Sequence, residues 1–427
     1  MPAAVLLLLG ALTAVGPIAL DLYLAAFPEI GVELGVEPHQ VQLTLTACMI
    51  GLAIGQLVSG IASDALGRRR PLLVGMALFF LFSLLCMLSP NIWMLIVARF
   101  LQGVGGGAGI VIARAVVRDR TSGEALVRAL TTMMIVLGLA PILGPMLGGL
   151  LMELTGWRGV FGALTVIALL LALGSLTLTE SLPPERRQPV SVAKLRRDFG
   201  AVLRDRDWQF GAGTVALTSC AVFFYIGSSA FVFQDVYDMS PLAYSILFGV
   251  NAANFMVFSQ SNRWLARWMS PRTRLGVAVG GMVLAGVVLA VTATLDQAPI
   301  WLAILGFALL PASHGVGSPN GLAIAMENHG ERAGSAAALH GVLQFTIAAV
   351  AVPLAGETLP GVAAAVCIVA GLLIILRLTI GRATRAGTAS RPPIADASDD
   401  RTTPTTVASA ATRDGAENAA RNATSRR

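Results

Sequence analysis

Two ionisable side chains lie well inside apolar segments of this 427-residue sequence, where a charge is costly and usually marks function. Asp21 interrupts the apolar block 5–27, and Arg99 lies about one-third of the way into the block 92–113. Burial and a nearby cation act on a carboxyl group in opposite directions, so a carboxyl whose neighbours change can bind and release a proton near neutral pH. We expect Asp21 to exchange protons and Arg99 to adjust the proton affinity of Asp21. The alternatives are an acid at the outer end of a helix and an arginine that extends to the membrane interface.

The composition indicates which elements must hold these residues. Hydrophobic residues make up 55% of the chain, charged residues make up 13%, and the mean hydropathy is +0.74. Soluble proteins carry about 25% charged residues, whereas blocks of about 20 apolar residues are long enough to cross a bilayer as helices. The sequence therefore predicts an all-α membrane protein.

Twelve apolar blocks are long enough to be transmembrane helices. They cover residues 5–27, 41–62, 71–90, 92–113, 128–151, 157–179, 209–233, 242–262, 274–294, 299–321, 333–355 and 358–379. The first block is predicted to be a membrane helix rather than a cleaved signal peptide, because no Lys or Arg precedes it. The predicted fold is two pseudo-symmetric six-helix bundles. The predicted domains are 1–179 for the first bundle, 180–208 for a cytoplasmic linker with a short amphipathic helix from Val192, 209–380 for the second bundle, and 381–427 for a disordered cytoplasmic tail.

The arginines are concentrated in loops on one side of the predicted membrane. That side carries Arg68, Arg69, Arg70, Arg114, Arg118, Arg120, Arg128, the linker arginines, Arg263, Arg267, Arg272, Arg274, Arg332 and Arg382. The opposite side carries Glu29, Glu33, Glu37, Asp235, Asp238, Asp296 and Glu357, with Arg158 as its one basic residue. Because basic loops favour the cytoplasmic side, we expect a multi-pass protein of the inner or plasma membrane with both termini in the cytoplasm.

Several function classes find no support in the sequence. The pI of 9.7 comes from short arginine-rich loops rather than from a basic face, so no nucleic acid is expected as a partner. The four cysteines lie inside apolar blocks without metal-ligand spacing and are predicted to be buried. No Walker sequence, paired-histidine motif or Gly-x-Ser-x-Gly is present, so we expect neither an enzyme nor a cofactor. The expected partners are a small molecule, protons and membrane lipids, and the expected state is a monomer.

The junction after the second block, "GIASDALGRRRPLL" (60–73), places one acid and three arginines between uncharged segments. Asp64 lies near a helix C-terminus, where the helix dipole disfavours it, so it needs a cation or a neighbouring helix N-terminus. A similar junction, "SNRWLARWMSPRTRL", follows the second block of the second half, which suggests duplication. The simpler interpretation is that the arginines only fix the topology.

Four stretches resemble motifs of the major facilitator superfamily. The junction is similar to motif A of that family, with matches at Gly60, Asp64, Gly67, Arg68 and Arg69 and a departure at Ala65. "LIVARFLQGVGGGAG" is similar to motif B, with Arg99, Gln102 and Gly103, and "ALDLYLAAFPEI" resembles the first-helix motif of twelve-span drug antiporters. "GLAPILGPMLGGLL" resembles motif C of the drug/proton antiporter branch, with Gly138, Pro141, Gly144, Pro145, Gly148 and Gly149.

The resemblance implies how these motifs work. Motif A would lock the two halves together in an outward-facing state. The glycines and prolines of motif C would form a bent helix that permits close backbone approach at the interface between halves, although they also suit plain tight packing. The later stretches "SSAFVFQDVYDMSPLAYSILFGVNA" and "AGSAAALHGVLQF" are similar to the Bcr/CflA group, which exports bicyclomycin and chloramphenicol.

Candidate substrate-binding residues are polar or aromatic side chains within the blocks. The set we favour is Tyr23, Gln56, Arg114, Tyr225, Asn251 and Asn254, and the further members are Ser228, His314, Asn320 and Gln344. We expect about half of them to bond one another, and we expect His314 to be a packing residue satisfied by Ser313 and Ser318.

The sequence therefore predicts a proton-coupled antiporter that exports a small amphipathic antibiotic and so confers resistance. Because few acids lie within the membrane to pair with a dication, a neutral or weakly polar cargo is favoured, with chloramphenicol or a related phenicol first. The alternative is a superfamily symporter, or an exporter of another small metabolite such as a bicyclomycin-like compound, a sugar or an amino acid.

Overall fold

The computed structural model describes residues 2–187, 192–329 and 358–389, together with residues 336, 339–344, 346, 347, 349, 352 and 356. Within these residues the chain is helical, without strands. The helices are α1 (Ala3–Asp21), α2 (Phe27–Leu34), α3 (Pro38–Leu66), α4 (Arg69–Met87), α5 (Ile92–Arg120), α6 (Gly123–Leu176), α7 (Val192–Leu203), α8 (Arg206–Phe231), α9 (Pro241–Leu265), α10 (Pro271–Ala293), α11 (Ile300–Met326) and α12 (Leu359–Ala389). The predicted all-α membrane fold is confirmed.

Local sequence signals explain where several helices begin. Pro241 and Pro271 are the first residues of α9 and α10. The first N–H of a helix has no partner within the helix, so proline, which lacks an N–H, loses no hydrogen bond there. The preceding residues, Ser240 and Ser270, each accept a hydrogen bond at 3.2 Å from the backbone N–H three positions later. Short polar turns with these caps therefore separate the long apolar segments.

Ten helices of the described part of the chain are long and apolar enough to cross a membrane. The longest, α6, has 54 residues, which is more than twice the roughly 20 that one crossing needs. It divides at Gly156, whose φ of 66° is not helical, and its two parts match the fifth and sixth predicted spans. The predicted eleventh span, 333–355, lies mostly outside the described residues.

Two predictions at the ends of the second half differ from the structure. Helix α12 continues to Ala389, so residues 381–389 of the predicted disordered tail are helical, and residues 390–427 lie outside the described part. Cys367 is exposed on α12, whereas Cys48, Cys86 and Cys220 are buried as predicted. The linker contains a helix where one was predicted, at Val192–Leu203.

Each half is packed around one enclosed helix. In the first half, α1, α3 and α4 pack around α5, and in the second half α8, α9 and α10 pack around α11. Gly51 and Gly55 of α3 face the backbone of Phe100 and Val104 on α5, so a side chain at either glycine would overlap that backbone. Among the helices that the structure describes, α6 and α9 form the largest contact between the halves. The functional residues lie on these elements.

The described hydrogen bonds between the halves lie at the acid-rich end of the bundle. The amide Nε2 of Gln42 on α3 donates to the carbonyl oxygens of Gly227 (3.2 Å) and Gly356 (3.1 Å) of the second half. Further bonds run from Gln234 Nε2 to Ala25 O at 3.2 Å and from the Leu242 N–H to Glu153 Oε1 at 3.4 Å. At the arginine-rich end, the described residues form no hydrogen bond or ion pair between the halves. The structure is therefore fastened at the acid-rich end.

Candidate functional site

Asp21 ends α1 where helices of both halves meet. Its side chain is 7% exposed, and its Cβ lies 3.9 Å from where a Cβ on Gly144 of α6 would stand. Tyr225 of α8 and Tyr244 of α9 are close enough to interact electrostatically with its carboxyl group. Among the residues that the structure describes, no group donates a hydrogen bond to this carboxyl and no cation pairs with it. Asp21 is thus a buried acid at the interface between the halves.

The two tyrosines belong to an aromatic and polar layer of the second half. The hydroxyl of Tyr225 accepts a hydrogen bond from Asn251 Nδ2 at 3.1 Å, and its ring stacks on Phe248 with centroids 5.2 Å apart. The hydroxyl of Tyr244 shares a hydrogen bond with Ser229 at 3.0 Å. The structure therefore brings the predicted residues Tyr225 and Asn251 towards Asp21. Tyr244 was not among the predicted residues.

Arg99 is fully buried in the core of the first half. Its guanidinium lies 4.1 Å from the centroid of the Tyr23 ring and 5.7 Å from that of Phe161. It donates to Gln102 Oε1, and Gln102 donates in turn to Ser83 Oγ at 2.8 Å. Its Nε and Nη2 have no hydrogen-bond partner. Arg99 is therefore a buried cation held by aromatic rings rather than by a carboxylate.

This arrangement differs from two predictions. Arg99 forms no ion pair with Asp21 among the described residues, because the chain after Asp21 turns Tyr23 onto the guanidinium instead. Tyr23 itself is 1% exposed and its hydroxyl bonds Thr44 at 3.1 Å, so it is a core residue here rather than part of a pocket surface. A direct effect of Arg99 on the proton affinity of Asp21 therefore requires a conformation other than this one.

Four of the other candidate residues connect helices or loops of the second half. The bonds are Asn254 Nδ2 to Ala308 O (2.8 Å), Ser228 Oγ to Gly356 O (2.6 Å), Asn320 Nδ2 to Asn262 Oδ1 (2.6 Å) and Gln344 Nε2 to Ser219 Oγ (2.8 Å). Each of these donor atoms therefore has a hydrogen-bond partner within the protein. In this conformation the four side chains therefore hold the bundle together.

His314 of α11 packs against α8 and α9. Its Nδ1 lies 3.0 Å from the Thr218 hydroxyl and its Nε2 lies 3.4 Å from the Ser219 hydroxyl, and its ring stacks on Phe255. The predicted partners were wrong, since Ser313 bonds the carbonyl of Leu309 instead. The interpretation as a packing histidine agrees with these contacts.

Two candidates of the first half have no described side-chain partner. Gln56 of α3 is half-buried where α3 passes Gly107 of α5. Arg114 is exposed on α5, although its neighbours from Ile112 to Val117 are buried. Both residues are consequently free to contact a ligand.

The junction of α3 and α4 is a network of charges centred on Arg68. The Arg68 guanidinium pairs with Asp64 and with Asp119 of α5, the latter at 2.9 Å, and donates to Ser63 Oγ at 2.9 Å. Arg68 thus supplies the cation that the position of Asp64 requires. Asp119 was missed, because 51 residues separate it from Arg68 along the chain.

Glu180 fastens the start of the linker to the same junction. Its carboxylate accepts hydrogen bonds from the backbone N–H groups of Arg68 (2.8 Å), Arg69 (3.2 Å), Ser181 (2.9 Å) and Leu182 (3.0 Å). Partial burial acts to raise the pKa of Glu180, but these N–H groups together hold it below its usual range. The side chain of Arg69 donates to the last carbonyls of α6 and its extension. The junction is therefore joined to the end of the first bundle.

The motif A residues make no described contact with the second half. Asp64 has 59% of its side chain exposed, and its described partner, Arg68, belongs to the first half. Gly67 adopts φ of 93°, which favours glycine. A Cβ at Gly60 would lie 3.6 Å from Val111, an ordinary contact, so no close approach requires glycine at this position. Among the residues that the structure describes, the predicted lock between the halves is not observed, and it stays a prediction.

The motif C residues of α6 face helices of both halves. A side chain at Gly148 would overlap the backbone of Leu22, and one at Gly149 would meet Ser245 and Pro241 of α9. A Cβ at Gly138 would lie 3.0 Å from Met256 of α9. Pro141 and Pro145 lie within the same helix. The glycine-faced helix is thus at the interface between the halves.

The molecule consists of two helical bundles with a buried acid between them and charged junctions at one end. This arrangement is typical of a membrane transporter rather than an enzyme. The family model described as Major Facilitator Superfamily matches residues 9–353. The chain belongs to the major facilitator superfamily.

Relatives and solved structures agree with this assignment. The chain is 40% identical to "Uncharacterized MFS-type transporter YdgK" of Bacillus subtilis (strain 168), over 82% of this chain and 87% of the relative. It is 28% identical to a bicyclomycin resistance protein homolog of Haemophilus influenzae, over 81% and 87% of the two chains. It is 26% identical to the multidrug resistance protein MdtL of Salmonella heidelberg, over 78% and 83%.

The fold matches solved transporters of low sequence identity. The inward-facing structure of a bacterial homologue of the human lysosomal transporter Spinster superposes with a TM-score of 0.71 at 14% identity, over 92% of this chain and 98% of the other. The POT family transporter PepTSo superposes with a TM-score of 0.73 at 11% identity, over 92% of this chain and 99% of the other. Together with the family match over residues 9–353, the ten apolar helices of the described part of the chain make the protein a multi-pass membrane transporter.

Proposed function

We propose that this transporter is a proton-coupled antiporter that exports a small amphipathic antibiotic, with chloramphenicol or a related phenicol as the first cargo to test. The observation that carries the proposal is the place of Asp21: a buried acid of the first half lies against Gly144 and near the second-half tyrosines Tyr225 and Tyr244. Because its neighbours come from both halves, a movement of the halves changes its surroundings.

The transport cycle follows from this placement. In the conformation fastened at the acid-rich end, cargo enters from the arginine-rich end, which we propose to be cytoplasmic together with both termini. Cargo and proton compete at Asp21. Release of the Gln42 bonds to Gly227 and Gly356 then separates the halves at the acid-rich end, cargo leaves, and a proton from that side returns Asp21 to its starting state.

Motifs A and C take distinct parts in this cycle. Asp64 is exposed now and is free to meet the second half when the arginine-rich end closes. The glycines of α6 let α6 and α9 move against each other without displacing large side chains. Replacement of Asp64 by Asn is then expected to slow transport while membrane insertion continues.

A bicyclomycin-like compound is the second candidate cargo. The support is the relative named bicyclomycin resistance protein homolog, which matches 81% of this chain. A symporter of a sugar or an amino acid has no comparable support among the relatives described above, and it remains an outcome of the test.

A resistance screen tests the proposal. The protein is produced in a host that lacks its own drug pumps, and tolerance to phenicols, bicyclomycin and cationic dyes is measured with and without a protonophore. We expect raised phenicol tolerance that the protonophore abolishes. Unchanged tolerance to every drug, or uptake in place of extrusion, would contradict the proposal.

A further inference from the structure

Two arginines stand out on the enclosed helix α5. Between Ala98 and Arg120, every residue of α5 is buried or half-buried except Arg114 and Arg118, which are exposed. They are four residues apart, so their side chains lie on one face of the helix. Helices α1, α3 and α4 cover other faces of α5. The exposed face is therefore an opening in an otherwise covered helix.

This opening lies at the arginine-rich end, where the described residues show no bond between the halves. Other helices are exposed there too: Leu7 of α1 in the first half is 58% exposed, and Leu322 of α11 in the second half is 38% exposed. Arg114 and Arg118 thus lie at the end of the bundle from which cargo enters in the proposed transport cycle.

The acids near these arginines are committed to other cations. Asp119 pairs with Arg68 at 2.9 Å and accepts a hydrogen bond from Ser181 at 3.1 Å. Asp64 also pairs with Arg68. Among the described side chains, no carboxylate pairs with Arg114 or Arg118. The two guanidinium groups therefore retain their capacity to bind an anion.

Two like charges one helical turn apart repel each other, and the low-dielectric wall of a cleft strengthens their field. An anionic group placed between them relieves the repulsion. The planar guanidinium is suited to bidentate hydrogen bonds with a carboxylate or a phosphate. A cationic ligand would meet repulsion at the same place.

We propose that Arg114 and Arg118 form an entry site for a negatively charged group of the cargo. This inference rests on the proposed export function and specifies the substrate class: amphipathic small molecules that carry a carboxylate or phosphate are preferred to neutral ones, and neutral ones to cations. Arg118, nearer the arginine-rich end of α5, meets the entering anionic group first, and Arg114 lies one helical turn further in.

Three forms of one scaffold test the preference. Chloramphenicol is neutral, its hemisuccinate ester is an anion, and its glycinate ester is a cation. Binding of each is measured with the purified protein in nanodiscs of phosphatidylcholine. We expect the hemisuccinate to bind about tenfold more tightly than the glycinate, the size of a charge-assisted hydrogen bond, and we expect the ratio to fall towards one in Arg114→Gln/Arg118→Gln.

Arg70→Gln/Arg267→Gln is the matched control. Arg70 on α4 and Arg267 just after α9 are exposed at the same end, so these changes also remove two positive charges, but not from α5. The control is expected to keep the wild-type ratio. An equal loss in the control would assign the preference to the general positive potential and overturn the inference, as would a wild-type ratio of one or a ratio that the double substitution leaves unchanged.

Anionic lipid is the other source of the same chemistry. If phosphatidylglycerol in the nanodiscs abolishes the charge preference of the wild type, the arginines bind lipid headgroups and the inference is overturned. Persistence of the preference supports a cargo site. The proposed function is judged separately, because protonophore-sensitive tolerance to neutral chloramphenicol does not depend on this ratio.

Discussion

The two halves of the transporter differ in what they bury. The first half encloses Asp21 and Arg99, an acid and a cation without a described counter-ion. The buried candidate side chains of the second half bond one another instead: Tyr225 bonds Asn251, Tyr244 bonds Ser229, and His314 lies against Thr218. The difference indicates that the first half holds the ionic chemistry, and that the second half supplies the neutral surroundings that change when the halves move.

Replacement of Arg99 by Met gives the largest expected effect. A buried charge without a carboxylate partner costs stability, and an apolar side chain of similar length often restores it. We expect Arg99→Met to have an unchanged or higher thermal midpoint but a transport rate reduced more than about tenfold, which corresponds to about 1.4 kcal/mol. Normal transport by this variant would show that the ionic chemistry does not reside at Arg99.

The packing of α6 against the end of α1, within the first half, is tested by two glycines of α6. A methyl group at Gly148 would overlap the backbone of Leu22, whereas one at Gly144 would lie 3.9 Å from Asp21 Cβ. We expect Gly148→Ala to lose about 2 kcal/mol of stability through overpacking. Gly144→Ala serves as the control and is expected to fold as the wild type does. Equal thermal midpoints of the two variants would contradict the packing described for α6.

His314 tests whether the second half works without ionic groups. A glutamine amide is able to donate to Thr218 and to accept from Ser219, as the imidazole does. We expect His314→Gln to lose about 1 kcal/mol of stability, the value of one hydrogen bond, and to transport with the same pH dependence as the wild type. A shifted pH profile of transport would place proton chemistry in the second half and break the comparison.

The smallest effect is expected at Glu180, in the charged junction of the first half. Its folded-state pKa lies below the usual value of about 4.3, so its contribution is present above that value and is lost as the pH falls through the folded-state pKa. Because Glu180 is exposed, the contribution should be under about 1 kcal/mol. Thermal midpoints from pH 7 to pH 3 should fall less steeply in Glu180→Gln. Identical slopes would contradict this role, and Glu185→Gln nearby is the control.

Sequence patterns predicted the parts of this site that depend on neighbours along the chain. The Asp64–Arg68 pair is four residues apart, and the glycines of motif C share a helix, so spacing alone places them together. The partners Asp119 and Glu180 were not predictable in this way, because they meet Arg68 only after α5 and α6 have packed. Contacts between helices depend on how each helix is rotated, which a single sequence does not specify.

The same reason explains the errors around the buried charges. Asp21 and Arg99 were predicted to act together because both are ionisable groups in apolar spans. The turn after α1 instead places Tyr23 over the guanidinium and leaves Asp21 against α6. Tyr244 was missed because its role depends on the approach of α9 to α1 and α6, which no local pattern reveals.

Uphill pumping by Asp21→Asn tests the central claim most directly. The purified variant and the wild type are placed in vesicles with an imposed pH gradient, and accumulation of labelled chloramphenicol is followed against its own concentration gradient. We expect the wild type to accumulate the drug, and Asp21→Asn to equilibrate it without accumulation. Gradient-driven accumulation by Asp21→Asn would show that the proton is carried elsewhere.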